Sequence, residues 1–90
     1  MTHEEIKQYL YDQGHEDALV FESPAYDAAF IGATHDGRAV YDFRKMVQCL
    51  EEEDHMTEDE AIEFIDYNTL RSIPYFGDKA PVVFFPVEDM

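Results

Sequence analysis

Apolar positions recur with helical spacing in three parts of the chain. The three stripes are Ile6, Tyr9 and Leu10; then Phe43, Met46, Val47 and Leu50; then Ala61, Ile62, Phe64 and Ile65. Each stripe follows a residue that commonly caps a helix, because Thr2, Asp42 and Thr57 can each accept a backbone N–H from the first turn. The predicted helices cover about residues 2–13, 43–54 and 57–70.

Short apolar runs between these stripes predict strands. The runs cover residues 18–21, 28–34, 38–42 and 82–85. Asp36-Gly37 joins the second run to the third and is a strong hairpin signal, in which both turn residues take positive φ. Pro86 places the last strand at a sheet edge or ends it.

The predicted order of elements is therefore α-β-β-β-α-α-β. No internal repeat, low-complexity tract or linker divides the 90 residues, so we expect a single domain, 1–90. The expected fold class is α+β, with a small antiparallel sheet of about four strands and about three helices packed on one face. A domain of this size has little stability to spare, and both a monomer and a homodimer stay open.

Nothing in the sequence predicts a membrane or secreted protein. The longest apolar run, residues 81–87, is much shorter than a membrane-spanning helix. The first residues lack the basic and apolar regions of a signal peptide. Cys49 is the single cysteine, so no intramolecular disulfide can form. We therefore expect a cytoplasmic protein.

Charge changes this picture most. The chain has 21 Asp and Glu against six Lys and Arg, a formal net charge of −15. Such a charge repels phosphates, so direct binding to nucleic acid or to an anionic membrane is not expected. It attracts a basic protein surface instead. Three interpretations compete, namely a solvated acidic surface, adaptation to high salt, and mimicry of a polyanion such as nucleic acid.

Nine of the acids lie within residues 51–66, a stretch without Lys or Arg. This acidic cluster comprises Glu51, Glu52, Glu53, Asp54, Glu58, Asp59, Glu60, Glu63 and Asp66. The helix dipole favours the acids in the first turn of the third helix, but it disfavours those at the end of the second. Asp59, Glu63 and Asp66 are expected on one helical face, opposite the apolar stripe. The cluster is either a solvated face or a row of carboxylates that binds a partner.

The loop after the third helix adds two aromatic residues. Tyr75 and Phe76 either pack over the sheet edge or anchor an interface, where Tyr and Arg are typical hot-spot residues. The residues predicted to bind a partner are therefore Glu51, Glu52, Glu53, Asp54, Glu58, Asp59, Glu63, Asp66, Tyr75 and Phe76.

No sequence pattern predicts catalysis or a cofactor. Asp54, His55 and Glu58 lie close together but lack the alternating acids and central glycine of a calcium loop. The sequence has no HExxH, CxxC or GxSxG motif and no glycine-rich phosphate loop. The four histidines are expected at the surface, and Cys49 is expected to be a buried, inert thiol. We expect no enzymatic activity, no metal and no cofactor.

Two stretches of sequence are distinctive, residues 36–42 (DGRAVYD) and residues 52–71 (EEDHMTEDEAIEFIDYNTLR), the latter followed by Ile73-Pro74-Tyr75. They resemble a family of small acidic proteins from bacteria and their phages that lacks a clear assigned activity. The resemblance runs from about Asp17 to Pro86 and implies no catalytic residues. Separately, size and charge resemble those of phage-encoded anti-CRISPR proteins that mimic nucleic acid, without a shared motif.

The expected function is that of an acidic inhibitor. It would bind and mask a basic nucleic-acid-binding surface, as an anti-CRISPR protein acting on a CRISPR effector by DNA mimicry in a bacterial host. The alternative is a non-catalytic adaptor module of phage or bacterial origin that binds through Tyr75 and Phe76 and an open sheet edge, with acidity serving solubility. A small hydrolase or metal-dependent enzyme would need a pocket with convergent polar groups.

Overall fold

The structure, a computed structural model, describes residues 1–87. In chain order, the regular elements are α1 (His3–Asp12), β1 (Phe30–Ala33), β2 (Ala39–Asp42), α2 (Phe43–Glu53), α3 (Glu58–Phe64) and β3 (Val82–Phe84). A π-helical turn (Ile65–Leu70) continues α3, and short 3₁₀ helices lie at Asp27–Ala29 and Ile73–Phe76. The α+β class and three helices are confirmed, but the sheet of the described chain has three strands where about four were expected.

Each helix begins after the cap that the sequence predicts. Thr2 and Thr57 form complete capping boxes, in which each hydroxyl accepts a backbone N–H at 3.2 Å from Glu5 or Glu60. The side chain of Asp42 caps α2 at 3.0 Å. Each cap stabilises its helix by about 1 kcal/mol. The caps therefore determine where the acid-bearing helices begin.

Residues 34–38 connect β1 to β2, and a hydrogen bond between the first and the last of them leaves a loop of three residues. The N–H of Thr34 donates to the carbonyl of Arg38 at 2.8 Å, and the N–H of Gly37 donates to the carbonyl of Thr34 at 3.0 Å. Gly37 has a φ of +85°, whereas Asp36 is not among the residues with positive φ. The expectation that both turn residues take positive φ is therefore wrong, and the loop is of the kind that ends in a glycine bulge.

Gly37→Ala is expected to destabilise the fold by about 2 kcal/mol. Positive φ costs an L-residue about 1 kcal/mol, and a Cβ at Gly37 would lie only 2.9 Å from Nδ1 of His15. Gly14 is the matched control, because its φ is +83° and a Cβ there meets nothing within 4 Å. Gly14→Ala should cost about 1 kcal/mol in urea unfolding. Equal losses in the two variants would contradict a tight contact at His15.

The sheet is mixed, which corrects the expectation of a wholly antiparallel one. β1 pairs antiparallel with β2, but β2 pairs in parallel with β3, with Val40 opposite Val82 and Asp42 opposite Phe84. Parallel strands need a long crossover connection between them. Here α2, α3 and the π-helical turn supply that connection, so the acidic helices lie on the crossover.

Residues 18–21 form no strand, contrary to prediction. Val20 and Phe21 are both buried although they are adjacent, whereas a strand alternates between its two faces. The N–H of Leu19 donates to the carbonyl of Lys79 at 3.1 Å, and the N–H of Phe21 donates to the hydroxyl of Tyr41 at 3.3 Å. These isolated hydrogen bonds satisfy backbone N–H groups of the segment without the regular hydrogen-bond ladder of a β-sheet.

Residues from all three helices and from β2 share one core. The predicted stripes contribute Ile6, Leu10, Met46, Val47, Leu50, Ala61 and Ile65. Tyr41 is fully buried, and its ring lies 4.8 Å from that of Phe21 and 5.7 Å from that of Phe30. Of the other residues predicted for these stripes, Tyr9 is exposed, and Phe43, Ile62 and Phe64 are only partly buried. They therefore stay available at the surface.

Within residues 1–87, no helix has the length and apolar character needed to cross a bilayer.

Candidate functional site: the acidic cluster of α2 and α3

The acidic cluster lies on α2, on α3 and on the short connection between them. α2 ends at Glu53 and α3 begins at Glu58, and the two helices pack against each other. The chain turns at His55, which has a φ of +56°, and the N–H of Met56 donates to the carbonyl of Leu50 at 3.3 Å. Eight of the nine acids are exposed, and the ninth is partly buried. The fold therefore presents almost the whole cluster to solvent.

Few cations of the described chain lie against the cluster. Nη1 of Arg44 is 3.8 Å from Oε2 of Glu58, and an exposed pair of this kind contributes about 0–1 kcal/mol. Arg71 stacks over the ring of Tyr67 at 4.6 Å. Nε of Arg38 donates to a backbone carbonyl at 2.8 Å. The negative charge of the cluster is thus only partly offset.

The acids of α3 and of the π-helical turn that follows it share one face. A π-helix closes its hydrogen bonds from residue i to i+5, so side chains after Ile65 point differently from those of a continuous α-helix. Asp59, Glu63 and Asp66 line one groove, as expected for residues on a shared face. Ala61 and Ile65 of the apolar stripe are buried, as predicted for the opposite face, whereas Ile62 of that stripe lines the same groove as the acids.

This groove, called the α3 groove below, is mainly apolar and has a volume of about 450 Å³. Its lining residues are Phe43, Asp59, Ile62, Glu63, Asp66, Tyr67, Leu70 and Phe85. The rings of Phe43 and Phe85 stack with their centroids 4.5 Å apart. Phe85 is 57% exposed and Tyr67 is 56% exposed. The groove therefore combines an apolar floor with three carboxylates.

A neighbouring depression of about 560 Å³ collects further acids of the cluster. Asp54, Glu60 and Glu63 line it together with His55. Glu63 and Tyr67 line both this depression and the α3 groove, so they form the ridge between the two. The three acids at the end of α2 line neither. The predicted cluster is thus divided between the α3 ridge with its two depressions and the end of α2.

Tyr75 and Phe76 lie apart from the acids and differ from each other. Tyr75 is 91% exposed, whereas Phe76 is partly buried with its ring 6.0 Å from that of Phe21. Both line a third groove of about 710 Å³ beside Tyr11 and Leu19. That groove shares no lining residue with the other two depressions. The structure therefore does not bring the predicted aromatic anchors together with the acidic cluster.

Two reactive side chains, Cys49 and His3, are held in structural surroundings. Cys49 is buried, and this burial raises the pKa of its thiol, so little reactive thiolate forms at neutral pH. Nδ1 of His3 lies 2.8 Å from Oδ1 of Asp27, and this hydrogen bond raises the pKa of His3. Nε2 of His3 lies 2.9 Å from Oε1 of Glu22. These partners join α1 to the loop before β1.

A metal ion finds no ready set of ligands in the described chain. Within residues 1–87, no group of three or more His, Cys, Asp or Glu side chains is placed so that it could hold one. Asp54 and His55 share a depression, but Glu58 does not line it.

Sequence reasoning missed most of the α3 groove. It assigned Phe43 and Ile62 to buried stripes and did not relate Phe85 to the acids at all. The missing information is tertiary, because the end of β3 and the start of α2 come together only in the folded sheet. The one local signal for Phe85 is the apolar run before Pro86. The strand has three residues and pairs only part of that run, so Phe85 is left outside it.

Comparison with known proteins adds no relative, since no family model, curated protein or solved structure matches the chain. The resemblance of residues 36–42 and 52–75 to small acidic bacterial and phage proteins therefore stays a prediction. The function is accordingly inferred from the geometry and charge of the acidic cluster.

Proposed function

We propose that the protein is a non-catalytic inhibitor that binds and masks the basic nucleic-acid-binding surface of another protein. The proposed target is a CRISPR effector in the cytoplasm of a bacterial host, and the inhibitor is of phage or bacterial origin. One observation carries this proposal. Nine carboxylates lie on two packed helices and their connection, eight of them are exposed, and few cations lie against them.

The physical basis is the similarity between this cluster and a phosphate backbone. Neighbouring acids on one helical face lie about 5–6 Å apart, and DNA presents closely spaced negative charges along its axis. When a basic cleft binds either one, it displaces cations that surround the negative charges into solution. The cluster is also preorganised, because Ala61 and Ile65 anchor α3 in the core while the capping box holds its first turn. A preorganised ridge loses little entropy when it binds.

The electrostatic cost of the arrangement supports a binding role. Glu52 and Glu53 lie in the last turn of α2, where the helix dipole disfavours negative charge, and no basic residue lies in that turn. Each unfavourable placement costs about 0.3–1 kcal/mol. Acids placed at helix N-termini would give the same solubility without this cost. Solubility alone therefore does not account for the placement of Glu52 and Glu53.

Salt and competing DNA test the proposal directly. The dissociation constant for a purified CRISPR effector complex should rise at least about tenfold between 50 and 200 mM salt, because binding by charge releases counterions. Double-stranded DNA that carries the recognition motif of the effector should displace the inhibitor, as measured by fluorescence anisotropy. An affinity that changes neither with salt concentration nor with added DNA would contradict mimicry.

The second candidate is an adaptor module that binds through Tyr75. It is favoured by the 91% exposure of this ring beside the exposed Tyr11 and Leu19, in a groove whose lining includes two acids and one lysine. An apolar contact of this kind responds little to salt. The salt titration therefore separates the two candidates, and loss of partner binding in Tyr75→Ala would favour the adaptor.

A further inference from the structure

The α3 groove exposes apolar side chains that mimicry of a polyanion does not need. Phe85 and Tyr67 are more than half exposed, and Phe43, Ile62 and Leu70 are partly buried along the same groove. A polyanion mimic needs carboxylates but no apolar floor beneath them. Exposed apolar grooves rimmed by polar residues are typical of binding sites for other proteins.

The rim of the groove selects the charge of what binds there. Asp59, Glu63 and Asp66 line it, and none of the ion pairs within residues 1–87 involves these three carboxylates. Arg71 does not line the groove but stacks on Tyr67, which does. An occupant therefore needs an apolar centre and positively charged flanks.

We propose that the α3 groove binds a basic amphipathic segment of the target protein. A leucine or phenylalanine of that segment inserts beside Leu70 and the stacked rings of Phe43 and Phe85, while flanking Lys or Arg side chains pair with the rim. This groove chemistry rests on the proposed function, because it assigns the apolar anchor of the same partner. It also adds a buried apolar contact to the electrostatic complementarity that steers a basic partner to this surface.

The sign of the rim disfavours the other occupants. A second copy of this chain also carries a formal net charge of −15, so it would meet the rim with like charge. An anionic lipid surface is repelled for the same reason. A neutral apolar peptide would leave three carboxylates partly desolvated without partners, which costs binding energy. A basic segment alone satisfies both the floor and the rim.

Two matched peptides provide the test. The probe is a synthetic helical peptide of about 18 residues with two leucines on one face and Lys or Arg on both sides of them. The control peptide has serine in place of both leucines and the same charge. Calorimetry should show that the leucine peptide binds the full chain at least about tenfold tighter than the serine peptide, since each leucine that enters the groove removes apolar surface from water.

Variants of the protein locate the binding. Phe85→Ser and Ile62→Gln should each reduce the advantage of the leucine peptide at least about fivefold, and both leave every rim carboxylate in place. Tyr75→Ser is the matched control in the third groove and should leave the advantage unchanged. Two variants on different elements keep the test usable if one of them fails to fold.

Equal affinity for both peptides, absence of binding by either, or an equal effect of Tyr75→Ser would overturn the groove proposal. None of these results would affect the salt and DNA competition experiments, which decide the proposed function by themselves. The opposite outcome is also informative. If the protein prefers the leucine peptide but DNA does not displace it from an effector, the groove proposal stands and the mimicry is rejected.

Discussion

Replacing Glu52, Glu53, Asp59 and Glu63 together with lysine is expected to lower affinity for the target at least about 10³-fold. Close charge pairs across interfaces have coupling energies of about 1.5–7 kcal/mol, and each reversal turns an attraction into a repulsion. Each reversal also adds two units of charge, so the formal net charge rises from −15 to −7. Inhibition of the effector should be lost with it, and DNA cleavage by the effector is the direct readout.

The fold should survive this change. Lysine in the last turn of α2 suits the helix dipole, which offsets the loss of a favourable acid in the first turn of α3. The matched control reverses four exposed acids elsewhere, Glu4, Glu16, Asp17 and Asp78, and reaches the same net charge. If both variants lose binding equally, overall charge rather than the acidic cluster is responsible. Thermal unfolding followed by circular dichroism verifies that both variants are folded.

The free energy of unfolding should fall by about 3 kcal/mol between pH 10 and pH 12 because of one tyrosine. Burial raises the pKa of Tyr41 to about 12, whereas tyrosine in an unfolded chain ionises near pH 10. Below pH 10 both states keep the proton, so the stabilisation is fully present. It is lost as the pH rises toward 12, since two pKa units correspond to about 3 kcal/mol.

Tyr41→Phe isolates this contribution. The variant should lose about 1–2 kcal/mol at neutral pH, because the hydroxyl that accepts the N–H of Phe21 is absent. Its urea-unfolding free energy should then decline much less steeply above pH 10. A smaller decline remains, since burial also raises the pKa of Tyr26 and of Cys49. An unchanged slope in Tyr41→Phe would show that another group governs the alkaline loss.

The parts of the fold that sequence predicted correctly are those determined by local signals. Capping residues and the spacing of apolar positions act within one or two helical turns, and they placed the starts of all three helices at Thr2, Asp42 and Thr57. The hairpin was located by Asp36-Gly37, although its loop has three residues rather than two. Local rules identified the element there without its detailed backbone geometry.

The errors concern partners that are distant in sequence. Residues 18–21 have strand-like composition, but their backbone bonds go to Lys79 and to the hydroxyl of Tyr41. The direction of β3 depends on where the crossover returns the chain, which no local pattern encodes. Composition also located the acids of the candidate site, while the α3 groove required the π-helical turn and Phe85 at the end of β3.

The parallel pairing of β2 with β3 also has a kinetic consequence. Because Val40 pairs with Val82, this contact closes a loop that contains both acid-bearing helices. Long-range closure loses chain entropy before any contact compensates, so it slows folding and tends to follow local helix formation. A chain in which β3 has not yet docked already carries every carboxylate, but it lacks Phe85 in the lining of the α3 groove. A partner that binds tightly in the α3 groove would therefore distinguish the folded chain from its folding intermediates.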